Sequence, residues 1–112
     1  AGHDDTIRLL CTFEMQPPED RMDALRHAMT LANDEGWGGA FCLWEEHGLM
    51  VHRSGMTLAG DGTATGGQLE AMLAEAVERC ERYYPAFQLV CWGGADAPEA
   101  MEIAMPGAYG RA

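Results

Sequence analysis

The chain has 112 residues, 47% of them apolar and 22% charged, which is the size of one ordinary domain with enough apolar material to bury a core. Its 18 acidic residues outweigh 7 basic ones for a net charge of −11, which argues against direct contact with nucleic acid or an anionic membrane, where phosphates demand Lys and Arg. The balance favours a basic partner, or solubility itself.

All seven basic residues are Arg, and Asn33 and Ser54 are the only residues of their kinds. The longest apolar stretches, residues 39–44 and 86–92, are far shorter than a bilayer span. No basic segment followed by an apolar run opens the chain, so no export signal is expected, and residues 1–5 are expected to be a flexible start. Cys11, Cys42, Cys80 and Cys91 form no Cys-x-x-Cys pair and each sits in an apolar stretch, so reduced core thiols in a cytoplasmic protein are expected.

Residues 6–15 alternate, with Ile7, Leu9, Cys11 and Phe13 on one side and Arg8, Leu10, Thr12 and Glu14 on the other, which predicts a strand ended by Pro17 and Pro18. Pro18 suits an early helical position, with Glu19, Asp20 and Asp23 in the first turns, where the helix dipole favours anions. Met22, Leu25, Met29 and Ala32 continue at helical spacing until Glu35 and Gly36. Residues 40–46 and 49–56 predict two strands joined at His47-Gly48 by a two-residue turn. That register pairs Glu46 with Leu49, Trp44 with Val51 and Cys42 with Arg53, and leaves Phe41, Leu43, Glu45, Met50 and His52 on the other face.

A glycine-rich loop over 60–67, with Thr65 as a cap, feeds a second helix over 68–84. Leu69, Met72, Leu73, Ala76, Val77 and Cys80 form its apolar stripe, while Glu75 with Arg79 and Glu78 with Arg82 make i, i+4 pairs on the wet side. Pro85 is expected to stop it. Residues 87–92 then alternate as a fourth strand, 98–105 suit a short helix, and 106–112 read as loose.

The order strand, helix, strand, strand, helix, strand predicts an α+β fold: a ferredoxin-like βαββαβ sandwich, a four-stranded antiparallel sheet with both helices on one face. One domain over residues 6–95 would be followed by an extension over 96–112. The uncovered face would hold Leu10, Thr12, Gln88, Val90 and Trp92, with either Trp44, Leu49 and Val51 or Phe41, Met50 and His52 from the hairpin, and either choice is more apolar than the solvated side of an ordinary antiparallel sheet. Such a patch calls for an occupant: the C-terminal segment with Met101, Ile103 and Met105, a second copy, or a ligand or foreign partner. RNA-recognition domains share this topology but stack bases on central-strand aromatics, and here the first strand offers only Phe13, on the helix side, in a chain of the wrong charge.

Chemistry-bearing clusters are sparse. Glu45, Glu46, His47 and His52 combine types that bind metals, but they span a turn and supply too few converging ligands, so no metal is expected. The loop over 60–67 precedes a helix without the Gly-Lys-Ser/Thr ending of a phosphate loop, and no cofactor is expected. Ser54 lacks a nucleophile-elbow context, and Cys11 and Cys91 lack the electropositive setting that activates a thiol.

The leading expectation is therefore a non-enzymatic interaction protein, an inhibitor, immunity-like protein or adaptor. It would bind a protein with a basic surface through Glu19, Asp20 and Asp23 on the first helix and Glu70, Glu75, Glu78 and Glu81 on the second. The alternative is a small-molecule or catalytic site on the uncovered sheet face or at a homodimer interface, lined by Trp44, Glu45, His52 and Trp92.

Overall fold

The computed structural model describes residues 5–36, 38–58 and 65–105. The expectations for residues 1–4 and 106–112, and for most of the glycine-rich loop, lie outside them. The elements are β1 (Asp5–Thr12), a 3-10 turn (Glu19–Arg21), α1 (Met22–Asp34), β2 (Ala40–Trp44), β3 (Leu49–Leu58), α2 (Gly66–Trp92) and α3 (Ala97–Ala104). The strands form one antiparallel sheet in the order β1-β3-β2.

The α+β class stands, but the ferredoxin-like four-stranded sandwich does not. The sheet has three strands, and residues 87–92 continue α2 through Pro85. Alternation places Leu89 inside and Val90 outside; the structure does the reverse, with Leu89 37% exposed and Val90 fully buried. The buried positions of α2 are Ala76, Arg79, Tyr83, Ala86, Phe87, Val90 and Cys91, a three- and four-residue spacing that crosses the proline unbroken. An interior proline costs a helix about 3 kcal/mol. Burying each large apolar side chain returns about 1.5–3 kcal/mol, and Phe87 and Val90 lie beyond the proline, so packing wins.

Ile7, Leu9 and Cys11 of β1 face the helices with Phe41 and Leu43 of β2 and Met50 and His52 of β3, because directly paired residues share a face. The β2–β3 turn is four residues, not two. His47 and Gly48 amides donate to the Trp44 and Glu45 carbonyls at 3.0 and 3.2 Å, and Gly48 takes a φ of +64°. Trp44 consequently pairs with Leu49, and Cys42 with Val51, a two-residue shift from the expected register that keeps every side chain on its expected face. Glu45 and Glu46 leave the strand for the turn.

α1 and α2 cover this inner face and α3 packs on both. The core joins Leu25, Ala28, Met29 and Ala32 of α1 to Phe41, Met50, Tyr83, Phe87, Val90, Ala100 and Met101. Two capping boxes start the later helices: Thr65 with Gln68, and Asp96 with Glu99. The C-terminal helix packs on α1 and α2 and not on the outer sheet face, so no element among the described residues covers that face.

Two polar side chains bolt the layers together. The Arg21 Nε and Nη2 atoms donate to the Val90 and Ala95 carbonyls, both at 2.7 Å, placing a cation at the negative end of α2. The Asn33 amide grips the Phe41 backbone from both sides, Nδ2 donating to its carbonyl at 3.0 Å and Oδ1 accepting from its N–H at 2.7 Å. It gives the free edge of β2 the partner a further strand would have supplied.

Candidate functional site

Three places bring polar or reactive groups together: the buried centre, the groove between α2 and α3, and the outer sheet face.

The buried centre is built around Arg79, which the sequence placed on the wet side of α2 in a pair with Glu75. It is 7% exposed. Its Nη2 donates at 3.0 Å to the Ala32 carbonyl near the C-terminal end of α1. Its guanidinium lies 5.6 and 5.2 Å from the ring centres of Phe41 and Tyr83. Gly36 is small for this reason, since a Cβ there would strike the guanidinium. His52, 1% exposed, meets Phe41 edge-on at 4.8 Å between centroids. Burial, and then the Arg79 charge, hold its pKa below the usual 6.5, so it is neutral in the folded protein near pH 7. Neither ring nitrogen has a hydrogen-bond partner among the described residues, and the same is true of Ser54 Oγ and Arg79 Nε. Burial and the adjacent Cys11 thiol push Cys80 up to about 12, and burial pushes Cys91 up to about 11, so both stay protonated and poorly nucleophilic at neutral pH.

The groove runs along the outside of α2 against α3. The apolar stripe expected over residues 69–80 divides here. Ala76 is buried and Met72 and Cys80 are half-buried, but Leu69, Leu73 and Val77 open to solvent, Leu73 by 50%. Val77 sits about 100° around the helix from Ala76, so the face that reaches the sheet turns it away. With Ile103 of α3, 59% exposed, these side chains form an apolar strip. The groove measures about 820 Å³, and Glu70, Glu78, Glu81 and Arg82 line it. Arg82 is held by Glu78 in an i, i+4 ion pair.

The outer face is a trough of about 820 Å³ lined by residues of all three strands, including Arg8, Leu10, Trp44, Val51, Arg53 and Gly55, and by the Gly38-Gly39 turn. The structure does not assemble the expected ligand set on it. Trp44 is there. His52 points into the core, Glu45 sits in the turn and accepts from Arg26 at 3.1 Å, and Trp92 projects from the end of α2. The position of Trp92 follows from the absent fourth strand. His52 pairs across the sheet with Phe41, not Leu43. Among the described residues, no three His, Cys, Asp or Glu side chains converge as a metal site would require.

The acidic residues expected to bind a partner fall into two groups. Glu70, Glu78 and Glu81 rim the groove. Glu75 is exposed on α2 beside the Gly38 turn, and Glu19, Asp20 and Asp23 are exposed at the start of α1, with Asp23 3.6 Å from Arg26. The sequence reading missed Arg79, Asn33 and Arg21. Arg79 carried a signal, since it falls three residues from Ala76 and four from Tyr83, inside the buried helical spacing.

The fold and these surfaces define a small α+β domain with two open concavities, one apolar with an acidic rim and one between strands. The chain belongs to the YbjN family, described as "Putative bacterial sensory transduction regulator", whose model matches residues 1–89. No curated protein and no solved structure matches the chain. Membership points to a regulatory role exercised through a protein partner. No helix among the described residues is long and apolar enough to cross a membrane.

Proposed function

We propose that this chain is a cytoplasmic regulator that acts without catalysis, by docking a protein with a basic surface into the groove between α2 and α3. The observation that carries this reading is the apolar strip of Leu73, Val77 and Ile103 rimmed by Glu70, Glu78 and Glu81, with the exposed Leu69 one turn before Leu73 on α2. Covering the strip would gain about 25 cal/mol for each Å² of apolar surface removed from water. The carboxylates would select the partner's charge and speed its approach. A basic amphipathic helix laid along α2 satisfies both requirements. Glu75, and Glu19, Asp20 and Asp23 at the start of α1, extend the negative field that steers it. A second copy fits less well, since it brings together two chains of net charge −11. The free thiols of Cys11, Cys42, Cys80 and Cys91 suit a reducing compartment.

The test is affinity capture from a lysate of the source bacterium, comparing the wild-type chain with the Leu73→Asp/Val77→Asp double variant. A polypeptide should be held by the wild type, lost from the variant, and bound about tenfold more weakly when salt rises from 0.05 to 0.5 M. Capture that is identical for both proteins, or indifferent to salt, would remove the groove from consideration. Both substitutions lie on exposed positions, so the variant's melting temperature should stay within about 3 °C of the wild type.

A further inference from the structure

The outer sheet face differs in charge from the rest of the molecule. The chain has 18 carboxylates, yet no Asp or Glu is among the residues lining the trough, and two arginines are. The arginines of the helical layer are all engaged: Arg21 and Arg79 by backbone carbonyls, Arg26 by Asp23 and Glu45, and Arg82 by Glu78. Arg8 and Arg53 have no ion-pair or hydrogen-bond partner among the described residues.

Their placement follows from register. Arg53 lies opposite Leu10 on one side and Ala40 on the other, and Arg8 lies opposite Gly55, two positions along β3 from Arg53. Both therefore stand on the same face as diagonal neighbours, about 7–8 Å apart at the backbone. The positions beside them are small, Gly55, Ala40 and Gly39, which leaves room between the two stems. Gly39 is required by the backbone itself, because a Cβ there would come within 2.6 Å of the Arg53 carbonyl oxygen. Beyond the arginines the floor becomes apolar, with Val51 buried beneath the exposed Leu10 and Trp44. A guanidinium pair at one end and an aliphatic and indole surface at the other is an amphipathic receptor.

We infer that the trough binds a small amphipathic anion, its carboxylate, sulfonate or phosphate held between Arg8 and Arg53 and its apolar body lying on Leu10, Val51 and Trp44. Whole-molecule charge decides the size of the occupant. A second copy, an acidic protein or a nucleic acid would meet the field of a chain at −11, whereas a molecule of one or two charges meets little of it and gains two guanidinia that no carboxylate among the described residues pairs. The volume of about 820 Å³ is within the range of small-molecule sites. This site is separate from the α2–α3 groove and stands or falls independently of it.

The experiment is fluorescence titration with anilinonaphthalene sulfonate, against the uncharged phenylnaphthylamine of nearly the same shape. The wild type should bind the sulfonate at least about tenfold more tightly than the neutral probe, and Arg8→Gln/Arg53→Gln should erase that preference. Arg8→Lys/Arg53→Lys should retain part of it, and Leu73→Asp/Val77→Asp should leave it unchanged, which separates this face from the groove. Circular dichroism establishes that each variant is folded. Equal affinity for the two probes, a preference that survives in the Gln variant, or one that disappears in the Leu73/Val77 variant would each overturn the proposal. So would sedimentation showing a wild-type dimer that the Gln variant dissociates, since the face would then join two copies.

Discussion

Arg79 is the residue on which most of the interior depends. It ties α2 to the Ala32 carbonyl in the last turn of α1, fills the space between Phe41 and Tyr83, and adds its charge to the burial that keeps His52 neutral. A hydrogen bond from a charged donor contributes about 1.5–3 kcal/mol and a partly buried cation–π contact about 0.5–2. Arg79→Ala should therefore lower the unfolding free energy by about 2–5 kcal/mol, measured by urea denaturation at pH 7. His52 gives a prediction in pH. Its folded pKa lies below the unfolded value of 6.5, so the unfolded chain binds the extra proton and stability falls as pH drops below 6.5. The slope from one such group is at most about 1.4 kcal/mol per pH unit. His52→Leu should flatten the acid side of the stability profile by up to that amount. It should also leave the protein at least as stable at pH 7, because two unpartnered ring nitrogens leave the core. A His52→Leu protein as acid-sensitive as the wild type in this window would show that another group carries the slope. At this scale the sequence spoke unevenly. Alternation put Trp44 and His52 on opposite faces of the hairpin but left open which face turns outward; that, like the inward turn of Arg79, depends on which neighbours are already buried, and no local pattern reports it.

At the scale of elements, α2 carries the sharpest test. A helix that runs through Pro85 forgoes the hydrogen bond to the Glu81 carbonyl and bends the chain around the ring. Pro85→Ala should stabilise the protein by about 1–2 kcal/mol, after allowing for the lost restriction of the unfolded chain. A chain with a strand over 87–92 would instead lose its helix stop and be destabilised, so the sign of the change in a thermal melt separates the two structures. The elements with a clean period were readable from residue types: β1 from its alternation, α1 from Leu25, Met29 and Ala32, and α3 from Pro98 onward. The fourth strand was misread because residues 87–92 satisfy both periods at once, and only the depth of Val90 and Cys91 in the core settles which one operates. The same ambiguity hid the α2–α3 groove, since Leu73 and Val77 are buried in any reading that gives α2 one apolar face. The β2–β3 pairing slipped by two residues without moving a side chain to the wrong face, which is why the open trough survived the error.

For the molecule as a whole, a net charge of −11 opposes compactness, and screening should relieve it. Raising sodium chloride from 0.01 to 0.15 M should increase the melting temperature by about 3 °C as the Debye length falls from about 30 to about 8 Å, with a smaller gain above that. An unchanged melting temperature would mean that the carboxylates are already spread widely enough to ignore one another. The family match ends at residue 89, yet the interior does not. Among the described residues, Val90, Cys91, Ala97, Ala100 and Met101 supply five of the sixteen side chains of the main buried cluster, and both acceptors of Arg21 lie past that point. A fragment cut at 89 would uncover the side of α1 on which α3 now rests and leave the Arg21 guanidinium without its anchors. The stretch that defines the lineage is thus not a unit that can stand by itself: the closing turn and last helix act as a lid nailed down from the opposite end of the chain, and shortened versions made for binding work should retain everything through Met105.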